Sequence, residues 1–404
     1  MPISIYYDLI AELGDYAREQ AGATKRKESI AWFYDYVRSL RKPLGRISLG
    51  IGDPVVVDTT SPQFNTAIEG GNEQFSIELQ KLAFEASVNA NNVTPITPSS
   101  ILALVLTGAA PTSLTEQECS AEMWAIRNWA INRNLPLTEE LQEVEIEKVR
   151  DVARAMREIG VVTRYEGGME FVYSIAEGKH YEASYYRNNA IHFFVNKAII
   201  ELALVKASKE SSPKALDTFW NEVISLRDVF KFEFFYPDLE IFRSQIEEEI
   251  ELENPNWKSI VAGGGSLKLL RQMDFHVAHA VLRPFAEAYS VVADVMLAAD
   301  GAGALTKDEI VAGALKMGKQ AFLQRRISSE ESIGKLMFSN GYKLAENRGL
   351  VRGGTDMKAA RMSFVRELND VTARLHQISE IVTQKRLEPG EDTREAVLSV
   401  VGND

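Results

Sequence analysis

The sequence predicts an α+β fold, mostly helical, with winged-helix-like units and a short α/β segment before them. Three observations carry the prediction. Residues 1–58 hold two stretches of strand-like alternation around an amphipathic helix. Residues 73–385 show helical periodicity almost throughout, and a hairpin pattern turning at Gly167-Gly168 closes a set of helices.

In chain order, Ile3, Ile5 and Tyr7 alternate with Ser4 and Tyr6 as a first strand. An amphipathic helix runs through Trp32, Phe33, Tyr36, Val37 and Leu40 to Pro43, and GRISLGIGDP at 45–54 alternates again as a second strand. Residues 58–72, rich in Thr, Ser, Asn and Gly, read as a linker. Helical patterning resumes at Phe75, Leu79 and Leu82, and NNVTPITPSS at 91–100 supplies a turn with Thr97 or Ser99 as the next cap. A helix at 99–106, a start at LTEQE, a helix through Met123, Ile126 and Trp129, another at 145–159 and a strand pair at 160–175 make the unit 98–175 winged-helix-like. A looser version runs over 305–351, with LTKDEI in place of LTEQE and NRGLV in place of IGVV. The candidate recognition helix, 139–157, is mostly acidic, so the unit is read as structural.

The most apolar stretch is 185–205, predicted as one buried helix around which the rest packs. Asn188, His192 and Asn196 recur along one face of it; a satisfied core network is the preferred reading, a substrate or catalytic role the competing one. Beyond it, Phe230, Phe232, Phe234, Phe235 and Tyr236 form an aromatic core cluster, 242–253 an acidic surface helix, and GGGS at 263–266 a hairpin turn or flexible loop. Residues 280–296 form an apolar helix broken or started at Pro284 and expected to pack on the 185–205 helix. His276 and His279 have a metal-compatible spacing without further ligands nearby, and no metal is assigned. An amphipathic helix through Val365, Leu368, Val371 and Leu375 precedes a polar tail at 386–404.

Composition bounds the partners. The 404 residues carry a formal charge of -12, which argues against nucleic acid, and a single cysteine, Cys119, which excludes an internal disulfide and fits a reducing compartment. The opening residues lack a signal-peptide pattern and no apolar run is long enough to span a bilayer, so membrane attachment is expected to be peripheral. The most basic stretch holds Lys25, Arg26, Lys27, Arg38, Arg41 and Lys42 beside Trp32 and Tyr36. It reads either as a contact for phosphate or lipid head groups or as a solvated face balanced by Glu19, Glu28 and Asp35.

Several of these strings together resemble the membrane-bound glycerol-3-phosphate 1-O-acyltransferase family of bacteria and mitochondria. They are Pro2-Ile3-Ser4-Ile5 with Tyr7-Asp8, Gly22-Ala23 with Lys25, Lys27, Glu28 and Ser29, and Gly52-Asp53-Pro54. YYRNN at 185–189 with His192 and Val195, the aromatic run at 226–237, and VLRPF at 281–285 complete them. The resemblance implies that residues 1–58 are a remnant of the catalytic domain starting at its last conserved block, with Pro2 and Ser4 on the substrate side and Lys25, Lys27, Arg38 and Arg41 as phosphate or lipid contacts. It implies acyl transfer from acyl-CoA or acyl-carrier protein, as co-substrate, to the sn-1 hydroxyl of glycerol 3-phosphate, on the cytoplasmic face of the membrane and with no cofactor. The family's base is a histidine in HxxxxD, and none of His180, His192, His276, His279 and His376 is followed by an aspartate at that spacing. The chain is therefore expected to be inactive alone and to act with a separate amino-terminal half. The alternative is a non-catalytic interaction or regulatory subunit of a lipid-synthesis enzyme.

Overall fold

The computed structural model describes residues 1–10, 13, 14, 19, 34, 37, 45–56, 72–141, 146–210, 212–299, 303–354 and 357–387. The chain is mostly helical, with two small sheets among these residues. Strands β1 (Ile3–Tyr7) and β2 (Ile47–Ile51) pair antiparallel as a two-stranded ribbon. Then come α1 (Asn72–Asn92), α2 (Pro98–Ala109), β3 (Leu114–Thr115), α3 (Glu116–Asn132), α4 (Ile146–Glu158), β4 (Val162–Tyr165) and β5 (Val172–Ile175). Helices α5 (His180–Asn188), α6 (Ile191–Ala207), α7 (Lys214–Val229), α8 (Leu239–Glu253), α9 (Trp257–Ala262), α10 (Ser266–Gln272) and α11 (Ala278–Val281) follow. The chain closes with α12 (Arg283–Ala298), α13 (Lys307–Leu323), α14 (Lys335–Asn347) and α15 (Met357–Leu387).

From α2 to β5 the order is helix, strand, two helices and a hairpin, with the sheet ordered β3-β5-β4, the winged-helix arrangement. Local chemistry sets its starts. Thr97 and Thr115 cap α2 and α3 through reciprocal bonds with Ser100 and Glu118. Thr306 and Glu309 repeat the same box at α13, and Leu305 N–H donates to the Val351 carbonyl at 2.9 Å, but no strand forms among the described residues of 305–351. The helix predicted at 145–159 is α4, Ile146–Glu158, and Glu139–Leu141, which the recognition-helix reading of 139–157 also took in, is a 3-10 turn.

Helix α6 lies at the centre, against α7, α8, α10, α11 and α15. The 185–205 stretch is two helices rather than one. At Asn189 and Ala190 the amides bond three residues back, to Tyr186 and Arg187 carbonyls, and this tightened turn separates α5 from α6. The apolar 280–296 stretch likewise divides: α11 packs on α6, whereas α12, with Pro284 in its first turn, packs mainly on α13, α14 and α15. The glycines at 263–265 join α9 to α10, so this segment is a helix junction and not a hairpin. The 242–253 helix is only partly a surface helix, since Phe242, Ile246 and Ile250 are fully buried.

Candidate functional site: the ribbon seam and the buried charges behind it

Of the strings singled out in the sequence, those at 2–8, 52–54, 185–195 and 281–285 lie in one connected region, and the one at 22–29 lies outside the described residues. In the ribbon Ile3 pairs Ile51, Ile5 pairs Leu49 and Tyr7 pairs Ile47, so all six side chains share one face. That face is bare: the six are between 43% and 67% exposed. The other face, with Ser4 and Tyr6, is stitched to the α1–α2 turn by hydroxyls. Ser4 Oγ lies 2.7 Å from Thr94 Oγ1, and Tyr6 Oη lies 2.9 Å from both Ser99 Oγ and Thr97 Oγ1. Burial pushes the Tyr6 phenol up to about 12, against the lowering effect of Ser99 and Thr97, so it stays protonated in this seam.

Glycines let the backbones meet. A Cβ at Gly50 would lie 2.1 Å from the Val93 carbonyl oxygen, and one at Gly52 would lie 2.7 Å from that of Asn89. Asp8 closes the open end of the ribbon, accepting the Arg46 amide at 2.8 Å while its own amide donates to the Arg46 carbonyl. Pro2 contributes its carbonyl to the Gly52 amide at 3.0 Å. Of the predicted site residues, Pro2 and Ser4 thus stand at the ribbon's start and inner face; Lys25, Lys27, Arg38 and Arg41 lie outside the described residues.

The α5–α6 elbow supports the seam from below. Tyr186 Oη accepts the Ile10 amide at 3.1 Å, and His192 Nε2 stands 2.9 Å from the Asn91 carbonyl at the end of α1. Burial lowers His192 to about 4, so the ring is neutral and its Nε2–H donates to that carbonyl. The predicted polar stripe is therefore only partly a core network, since Asn188 is exposed and accepts from Arg187. The arginine is the buried member. Arg187 Nη1 lies 2.8 Å from Glu331 Oε1, both side chains at most 2% exposed.

Arg283, the arginine of VLRPF, belongs to the same cluster: burial lowers it, while Glu287 and Glu331 favour its charge. Glu287 accepts the Ser328 amide and the Ser332 hydroxyl, which fixes the 3-10 turn Glu330–Ser332 beneath α5, and the Tyr181 hydroxyl donates to the Ile333 carbonyl there. A second buried set lies deeper along α6. Lys197 reaches Glu253 at 2.7 Å, and Glu201 accepts the amides of Val277 and Ala278 ahead of α11. Sequence reasoning missed the burial of Arg187, Lys197 and Glu201, because their partners stand 56 to 144 residues away. Among the described residues no three His, Cys, Asp or Glu converge in a metal-binding group; His276 bonds the Leu270 carbonyl and His279 is buried beside α2. The arrangement fixes the two-stranded ribbon against the α1–α2 turn; among the described residues no histidine is paired with a carboxylate as a general base would be.

The family model described as "Glycerol-3-phosphate acyltransferase C-terminal region" matches residues 16–354. Proteins of Mycobacterium bovis and Mycobacterium tuberculosis named as acyltransferase plsB1 are 32% identical over 397 residues, covering 95% of this chain. The chain spans 62% of their length. A glycerol-3-phosphate acyltransferase of Colwellia psychrerythraea is 25% identical over 217 residues, 52% of this chain and 26% of that protein.

Proposed function

Because the chain belongs to the family of glycerol-3-phosphate acyltransferase C-terminal regions, we propose that it completes and braces an acyltransferase domain whose base is carried by an amino-terminal portion, joined or separate. The reaction is acyl transfer from acyl-CoA or acyl-carrier protein to the sn-1 hydroxyl of glycerol 3-phosphate, early in phospholipid synthesis, at the membrane surface. One observation carries the reading. The ribbon exposes three cross-strand apolar pairs on one face while its other face is fixed by buried hydroxyls and close-packed glycines. A two-stranded ribbon is marginal alone and an apolar sheet face in water is a docking surface, so a further layer of sheet or helix belongs over it. The relatives have the length to supply it, since the chain covers 62% of theirs. In this reading Pro2 and Ser4 hold the last strand of the substrate side in register, and Lys25, Lys27, Arg38 and Arg41 are the phosphate or lipid contacts.

Transfer of labelled palmitate from palmitoyl-CoA to glycerol 3-phosphate in lipid vesicles tests it. The chain alone is expected to be silent, having no HxxxxD. Addition of the part of the Mycobacterium tuberculosis relative that the chain does not match is expected to produce activity. Activity from the chain alone, or none on addition, would overturn the proposal; in the second case a binding or regulatory role becomes the better account.

A further inference from the structure

The winged-helix unit carries a feature the acyl-transfer reading does not use. Its hairpin loop, 166–171, ends in Met169, 102% exposed, with Phe171 and Tyr165 at 45% and 63%. The loop is built rather than slack: the Tyr165 ring folds over the turn, and a Cβ on Gly167 would lie 2.5 Å from the Tyr165 hydroxyl. Immediately behind it is a groove of about 440 Å³ lined by Arg154, Arg157, Glu158, Val162, Thr163 and Arg164. The Arg164 guanidinium lies 4.5 Å from the centre of the Phe171 ring, so cationic base and apolar tip adjoin.

In a chain of net charge -12 this conjunction of three arginines with a bare methionine and two aromatic rings stands out. Arg154 meets Asp151 at 3.4 Å and Arg157 meets Glu166 at 4.0 Å, whereas the half-buried Arg164 is held by Glu166 through both Nε and Nη2. Loose, partly exposed pairs such as the first two are worth about 0–1 kcal/mol each, little enough for a phosphate to displace. A nucleic-acid backbone would use the arginines but not Met169 or Phe171. An anionic bilayer uses both, its phosphates meeting the guanidinium groups and its interfacial region taking the apolar side chains.

We propose that the β4–β5 wing is a membrane-contact element, seating Met169 and Phe171 in the interface of an anionic bilayer while Arg154, Arg157 and Arg164 bind lipid phosphates. This deepens the peripheral-membrane part of the function proposed above and rests on it. The test is co-sedimentation of the full chain with phosphatidylcholine vesicles, with and without one-fifth phosphatidylglycerol. Binding is expected only with the anionic lipid. It should fall roughly tenfold or more in the Met169→Glu/Phe171→Glu variant and in the Arg154→Glu/Arg157→Glu variant, each checked by thermal melt to be folded, since Met169, Phe171 and Arg154 are exposed and Arg157 is half-buried. Undiminished binding by both variants would overturn the wing as the contact while leaving peripheral attachment intact. No binding by the unaltered chain would overturn both. Salt-sensitive binding of duplex DNA that the arginine variant abolishes would reassign the groove to nucleic acid.

Discussion

At the scale of single residues, the most consequential side chain is Arg187. It sits in the middle of YYRNN, 1% exposed, and its charge is met by Glu331 at 2.8 Å. Removing one partner of a buried pair costs about 3–5 kcal/mol, and here it leaves Glu331 with only the field of Arg283 to offset its desolvation. Arg187→Met is therefore expected to lower unfolding stability by about that amount in urea titrations. The double variant Arg187→Met/Glu331→Gln should recover a large part of the loss. Equal stability of the single variant and the parent would mean the pair is not buried as described. Gly50 makes a different demand, because the Val93 carbonyl occupies the place of its Cβ and lies in backbone that cannot rotate away.

In the function proposed above, the ribbon is the element that carries the docking surface. Gly50→Ala must push β2 off the end of α1, and the expected outcome is selective: faster hydrogen exchange at the β1 and β2 amides, with α6 amides unchanged. Uniform loss of protection would show that the ribbon is part of the global folding unit instead. Much of this element was legible beforehand, since alternation of Ile3, Ile5 and Tyr7 and of 47–51 follows directly from the two-residue period of a strand. The capping boxes at Thr115 and Thr306 and the hairpin turn at Gly167-Gly168 are equally local signals. The break between α5 and α6 was not legible, because neither glycine nor proline marks Asn189-Ala190. Nor were the buried charges Lys197 and Glu201: on a helix apolar nearly all round they read as tolerated polar positions until Glu253 and the amides of Val277 and Ala278 arrive from elsewhere. The seam partners Thr94, Thr97 and Ser99 were seen only as a turn and cap, since their contact with Ser4 and Tyr6 spans about ninety residues.

For the molecule as a whole, the buried titrating groups set a stability profile with pH. Burial raises Glu201 and Glu233 to about 7, and it lowers His192 to about 4, His276 to about 3 and His279 well below its ordinary value. The raised carboxyls contribute stability fully below their ordinary 4.5, and it is lost as pH rises to about 7. The lowered histidines contribute above their ordinary 6.5, and that stability is lost as pH falls toward 4 and below. Together these five groups favour the fold most near pH 6.5. Glu233→Gln removes one carboxyl, so relative to the parent it should gain about 1.4 kcal/mol per pH unit between 4.5 and 7 and nothing above. Parallel stability curves for the two proteins would contradict a raised Glu233. The central claim concerns what covers the ribbon, and one measurement addresses it most directly: the palmitoyl transfer assay in the presence of the amino-terminal portion, run with Leu49→Lys. Leu49 is 67% exposed, so the charge leaves the isolated chain folded. Loss of the complemented activity, with an unchanged melting curve, is the predicted result; full activity with a lysine in the middle of that face would contradict the account.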